Sequence, residues 1–444
     1  MTSFAGYDFL TRGVEVPWLP SHYHEITHEK ANQIAHIDAE VMRSNDDILK
    51  ILNRRASLNR MRNSFVPAVN LPAELLATIF EWACCSNDVE PNVFDEECLP
   101  QDVKPEDEAK LLQESYTDTC AEIRLAIGRV CSVWRSVALD TPQLWSNITL
   151  PVDEEDADDQ AEKLQYILSK SGQRPLSVRL VELIAEYDPH KDIDEPLGGI
   201  PSTVIDTLEM QAHRLRALNI ILPVTWEPAL NRMANRMSLL VRITLHIPHD
   251  SDTFYPVECF ASAPRLREVI LMRYNISSVV LPWGQLERLE GKCSGLLKCL
   301  DILRRCPRLR HCSIKLNDHD YLNVKVLAPL THTKLESLKL FMDCSPDDFA
   351  AFFDALTLPM LRSLEIDYFQ MTPLFTFFVR SACRLETLCL KGVIEEDNLI
   401  ACLQVLPELR ELIRGVGSCG RYRVPTRRIL DFVKTHNISF QRPY

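Results

Sequence analysis

Glycine is scarce, at 13 of 444 residues. That shortage argues against glycine-rich linkers and collagen-like sequence. It also leaves few phosphate cradles: neither G-x-x-x-x-G-K-[ST] nor G-x-G-x-x-G occurs. No window reaches 18 uninterrupted apolar residues, so no membrane-crossing helix is expected. The opening MTSFAGYDFLTRGVEVPW has neither a basic start nor a long apolar core, so no secretory signal is expected. Among 15 cysteines no pair has C-x-x-C spacing. A zinc site needs such short ligand pairs, so the expectation is no metal and buried thiols in a reducing compartment, cytosol and/or nucleus. Positive charge is short too: Lys+Arg 49 against Asp+Glu 62, net −13. A broad nucleic-acid or anionic-membrane partner wants the opposite sign, and neither is expected.

The deficit is local. Residues 86–119 hold eleven acids and two lysines, and residues 152–162 hold seven acids and no base. Outside those stretches the chain is close to neutral, so the acidity belongs to two insert-like segments. Both are expected to be exposed and at least partly mobile, because their apolar residues are too sparse to offset the entropy of ordering. Early cleavage within 86–119 in limited proteolysis is the corresponding expectation.

A phrase L-x-x-L-x-L recurs through the C-terminal two-thirds. It reads Leu215, Leu218, Ile220; Leu240, Ile243, Leu245; Leu266, Val269, Leu271; Leu309, Cys312, Ile314; Leu335, Leu338, Leu340; Leu361, Leu364, Ile366; and Leu385, Leu388, Leu390. Degraded copies begin at Leu286 and Leu409. Successive first leucines lie 20–26 residues apart, inside the leucine-rich-repeat range. Alternate strand residues share a face, so Leu338 and Leu340 point inward while Ser337, Lys339 and Phe341 point out. Helical spacing marks 295–306, 346–356 and 398–406. A strand and a helix per repeat predict an α/β solenoid, with a parallel sheet on its concave side and helices on its convex side. The asparagine common after the last leucine is missing; Asp343, Phe369 and Val393 stand there, so the solenoid is expected to be irregular. RPLSVRL (174–180) reads as an earlier strand and 181–205 as a loop insertion.

Residues 70–82 read NLPAELLATIFEW, and 123–150 read IRLAIGRVCSVWRSVALDTPQLWSNITL. The first phrase places Pro72 at a helix start and Leu75, Leu76, Ile79 and Phe80 on one stripe. Together the phrases resemble the F-box: LP-x-E-L-L-x-x-I-F as its first helix, V-C-x-x-W-R-x-x-A (Val130, Cys131, Trp134, Arg135, Ala138) as its last, and P-x-L-W (Pro142, Leu144, Trp145) as its tail. The segment 86–119 separates the halves more widely than the family does. With repeats behind it, the chain resembles the substrate receptors of Skp–cullin–F-box ubiquitin ligases. The resemblance implies a Skp-type adaptor and a cullin–RING assembly as partners. It implies adaptor contacts at Leu71, Pro72, Leu75, Leu76, Ile79 and Phe80, with Val130, Cys131 and Trp134 beside them, and a protein target on the repeats. Trp134 and Ile123 are expected to pack under the first helix. The alternative is a leucine-rich-repeat scaffold outside any ligase.

The expected division is a flexible tail (1–28), an amphipathic helix (29–64), an F-box (67–150) and repeats with a basic C-terminal cap (151–444). In the helix, Ile34, Ile37, Val41, Ile48, Ile51 and Leu58 form a seam that Ser44, Arg55 and Arg62 interrupt or end. Packing against the chain's own F-box or repeats is the expectation, and self-association the alternative. His24-Glu25-Ile26-Thr27-His28 matches H-E-x-x-H, but its surroundings are polar and a third ligand is missing. Solvated histidines are expected, with no enzyme activity and no cofactor. Arg421, Arg423, Arg427, Arg428 and Lys434 are expected to cap the repeats, the alternative being contact with an acidic or phosphorylated target. For the target, strand parity selects Met272, Tyr274, Phe341 and Phe369, ringed by Glu268, Lys339, Glu365, Asp367 and Lys391. The alternative is that loops or the basic tail cover them.

Overall fold

The structure, a computed structural model, describes residues 28–85, 119–152, 157–182, 202–221, 227–246, 256–317, 327–342, 345–367, 371–391, 396–415 and 427–441. The chain divides into two compact units, residues 1–72 with 131–133 and residues 73–130 with 134–444.

In the first unit, α1 (His28–Asn63) is a single helix of 36 residues, close to the predicted bounds. Ser64 ends it, its hydroxyl bonding the Met61 carbonyl at 2.7 Å, and Asn70 Nδ2 donates back to the Ser64 carbonyl at 3.2 Å. No side chain from 32 to 62 is buried. The predicted seam residues are exposed. Of the H-E-x-x-H match, only the backbone of His28 lies within the described residues.

The second unit opens with helices α2 (Ala73–Cys85), α3 (Thr119–Val130) and α4 (Ser132–Leu139, its first two residues counted with the first unit). After them come β1 (Asn147–Val152), α5 (Ala157–Lys170), β2 (Leu176–Glu182), α6 (Ser202–Met210), β3 (Leu215–Ile221), α7 (Glu227–Asn231), β4 (Arg242–His246), β5 (Glu268–Asn275), β6 (Arg288–Ser294) and α8 (Leu296–Arg305). The remainder is β7 (His311–Asn317), β8 (Leu330–Thr331), β9 (Ser337–Phe341), α9 (Pro346–Ala355), β10 (Leu356–Thr357), β11 (Ser363–Ile366), α10 (Met371–Ser381), β12 (Thr387–Lys391), α11 (Glu396–Gln404), β13 (Glu411–Gly415), α12 (Arg427–Thr435) and β14 (Ser439–Gln441). The fold is α/β. Among the described residues twelve strands form one sheet in chain order, with β8 and β10 set apart as a small parallel pair. Each strand is parallel to its neighbour, so every step returns through a crossover, as parallel pairing requires.

The leucine phrases supply the core. Cys312, Leu338, Leu364, Leu388 and Leu412 stand in register across five strands, all buried. The first leucine of each phrase is buried as well, where the chain turns into its strand. The three predicted helices correspond to α8, α9 and α11, and their apolar faces join the strand leucines in one cluster. Phe349, Phe353 and Phe377 extend that cluster between α9 and α10, with centroids 4.6 and 5.2 Å apart in sequence order.

Two expectations change. Residues 157–162 are helical rather than an irregular insert: they begin α5, where the exposed Asp158 and Asp159 sit at the positive end of the helix dipole while Ala161 is buried. The expected loop 181–205 is partly regular, with β2 reaching Glu182 and α6 starting at Ser202. The earlier strand at 174–180 is β2, and NITL forms a further one, β1. Residues 86–118, 153–156, Asp343, Phe369 and Val393 lie outside the described residues.

Candidate functional site

Two surfaces of the second unit carry most of the predicted site residues. The first is on α2. Its apolar residues form two stripes rather than one. Leu76, Phe80 and Cys84, at i, i+4 and i+8, are buried, the first two with 1% exposure. They make a small core with Cys120, Ile127, Ala138 and Leu144. Trp134 and Ile123 pack against that core as expected, the Trp134 ring 5.1 Å from that of Phe80. Leu75, Ile79 and Trp82, at i, i+4 and i+7, are 52%, 50% and 76% exposed.

This corrects the predicted contact set. Leu76 and Phe80 are core residues and cannot meet a partner without unfolding the helices. Cys131 is also buried. Leu71 and Pro72 are exposed and belong to the first unit. Val130 at the end of α3 is exposed, as is Leu125, which sequence reasoning missed along with Trp82. The missed signal was legible: a helix with one buried stripe normally carries polar residues elsewhere, and α2 carries a second apolar stripe one residue ahead.

The helices are tied to the sheet by the P-x-L-W tail. Arg124 is buried, and its Nη1 donates to the carbonyls of Leu144 (2.8 Å) and Asn147 (2.9 Å). Its guanidinium lies 5.5 Å from the Trp145 ring centroid. Trp145 Nε1 donates to the Ala138 carbonyl at 2.8 Å, and its ring meets Tyr166 of α5 edge-on at 5.9 Å. Trp145 packs against both cores, so the α2 surface is held on a rigid base.

The second surface is the sheet face opposite the buried leucines. The predicted ring of charges is there, and it is paired. Arg242 Nε meets Glu268 at 2.6 Å; Lys339 and Lys391 flank Glu365 at 3.1 and 3.0 Å; Asp367 Oδ1 accepts from the Met342 amide at 2.6 Å. Burial pushes the Glu365 carboxyl up, but the two ammonium groups outweigh burial and hold it below its usual range. Phe341 is half-buried, with the Lys391 ammonium 4.9 Å from its ring centroid. Met272 is half-buried, level with His246 on β4.

Tyr274 is a correction. It is buried in the main core rather than turned outward. The alternation fails because β5 slips against β6: Ile270 pairs with Glu290, and the next pair joins Asn275 to Lys292. A slip of that kind changes the face on which later residues emerge. Phe369 lies outside the described residues. Arg427, Arg428 and Lys434 fall on α12, which with β14 forms the last described step of the sheet, and Arg428 bonds Asp397 of α11 at 2.5 Å.

Several described cysteines are held as thiols by burial. Of the cysteines whose side chains are described, all but Cys383 are buried. Burial pushes Cys259, Cys306 and Cys402 up to about 12, and Cys293 and Cys383 to about 11. Such thiols stay protonated near neutrality. Among the described residues no group of three His, Cys, Asp or Glu could hold a metal ion, and no helix is long and apolar enough to cross a membrane. No protein-family model and no curated protein matches this chain.

Proposed function

We propose that the chain is a non-catalytic substrate receptor of a cullin–RING ubiquitin ligase: an F-box protein with an irregular leucine-rich-repeat solenoid. The observation that carries this reading is the exposed stripe Leu75, Ile79 and Trp82 on α2. The stripe is apolar, it stands on a small packed helical core, and that core already has its own buried stripe. Apolar area of this kind favours a protein partner. The F-box phrases of the sequence then name the partner class, a Skp-type adaptor, with Val130 as a further exposed contact. The sheet in chain order and its stacked leucines support the repeat half of the reading.

In this reading the work is proximity. The adaptor joins the chain to the cullin–RING assembly, and the open sheet face holds a protein target near a charged conjugating enzyme, raising effective concentration. The target surface centres on Met272 and Phe341, framed by the Lys339–Glu365–Lys391 cluster. Residues of this chain bind and orient; none is assigned bond chemistry.

The test is co-purification with a Skp-type adaptor, using wild type and a Leu75→Asp, Ile79→Asp double variant. Retention by wild type and loss in a folded variant is the expected result. A wild type that fails to retain the adaptor overturns the ligase reading and leaves a scaffold acting outside one. Replacing Phe80 would not serve, since a charge there breaks the helical core.

A further inference from the structure

We infer that α1 pairs with the α1 of a second copy of this chain, side by side and antiparallel. This goes beyond the receptor reading and does not depend on it. The helix is about 54 Å long at 1.5 Å per residue. Its apolar residues Ile34, Ile37, Val41, Ile48, Ile51 and Leu58 fall on a seam of alternating steps of three and four, and each is at least half exposed. Ser44, Arg55 and Arg62 occupy the remaining seam positions. Most of a helix's stability comes from covering such a stripe, and within its own unit this one stays exposed.

Charge selects the occupant and its direction. From 28 to 47 the helix holds five acids and two bases; from 48 to 63 it holds five bases and no acid. A parallel in-register pair sets like halves together. An antiparallel pair sets each acidic half on a basic one, and its two-fold symmetry closes the assembly at two chains. In the register that places Val41 opposite Ile51 and Ile34 opposite Leu58, Glu40 comes beside Arg54 of the other copy, and Asp38 lies near the same arginine. Ser44 meets Ile48 at the centre. The polar seam positions weaken the pair but restrict its register.

The full-length protein is examined by light scattering and sedimentation over a wide concentration range. The expected species has twice the 50.9 kDa of one chain. Ile48→Asp with Ile51→Asp is expected to yield monomer. Two block variants keep the helix and change only charge: Asp38→Lys with Glu40→Lys, and Lys50→Glu with Arg54→Glu. Each alone is expected to weaken dimerisation about tenfold, and the four changes together to restore it. Circular dichroism checks that helix content is retained. A monomeric wild type overturns the proposal. So does a dimer that survives the Ile48, Ile51 variant, because it is then built elsewhere. Block variants that leave the mass unchanged overturn the antiparallel arrangement.

Discussion

Single positions in this protein divide sharply by burial even when they are neighbours in sequence. Leu75 and Leu76 are adjacent, yet one is half exposed and the other 1% exposed. Truncating Phe80 to alanine should cost about 3–5 kcal/mol, while Leu75→Ala should stay within about 0.5 kcal/mol. Chemical denaturation of the two variants checks this, and equal losses would contradict the two-stripe description of α2. Gly291 is a second such position. It stands on β6 where the phrase wants its last leucine, and a Cβ there would lie 2.8 Å from Ile276 Cγ1 and 3.2 Å from Leu271 Cβ. The copy at Leu286 is degraded because Ile276 already fills the space. Gly291→Ala should destabilise by about 1–3 kcal/mol through overpacking. Glu365 links residue to pH. Its folded carboxyl is held below the usual range, so its stabilising effect is complete above the unfolded value and is lost as pH falls through the folded one. Glu365→Gln should therefore flatten the acid side of the stability profile, below about pH 4.5. An unchanged profile would mean that Lys339 and Lys391 do not govern it.

At the scale of elements, the strands are joined by a feature that the leucine phrases conceal. The residue after each first leucine accepts two backbone N–H groups from the next step: Arg267, Glu287, Arg310, Glu336, Arg362 and Glu386 form an unbroken series. Their side chains alternate in sign, and Arg410 continues the alternation. Ion pairs follow at Arg267–Glu287 (3.1 Å), Arg310–Glu336 (3.5 Å) and Arg362–Glu386 (2.9 Å), with Arg410 at 3.7 Å from Glu386. Stacking one step out of order would set like charges together. Exposed pairs contribute little singly, so Glu386→Arg should cost roughly 1 kcal/mol at low salt. The cost should shrink in high salt as screening grows. Denaturation at two ionic strengths measures it, and a salt-independent loss would point to packing instead.

For the whole molecule, a sheet built step upon step needs its last exposed edge managed. In the described structure α12 and β14 do this: Ile429, Val433 and Ile438 are buried, and β14 pairs with β13. Removing residues 427–441 should bare the β13 edge, lower the melting temperature and produce concentration-dependent association, because unpaired edges template further pairing. Light scattering of the shortened chain reports this, and a monodisperse product of unchanged melting temperature would reject the capping role. Of the basic residues expected to cap the repeats, Arg427, Arg428 and Lys434 lie on α12, while Arg421 and Arg423 lie outside the described residues.

What the sequence determined by itself is the periodic part. A phrase repeated every 20–26 residues dictates strand positions, inward faces and the α/β class, because alternation and burial follow directly from spacing. The helix at 28–63 and the packing of Trp134 under α2 were legible for the same reason. Tertiary structure decided the rest. Which of two adjacent leucines on α2 is core depends on what lies against the helix, and α3 and the P-x-L-W tail are distant in sequence. The outward place assigned to Tyr274 failed because parity assumes an unbroken ladder, and the slip between β5 and β6 arises only when both strands are paired. Acids at 157–162 look like an insert until Ala161 and Leu164 find a core to bury against. Local pattern fixes a residue's face relative to its own element; only the neighbouring elements decide whether that face meets protein or water.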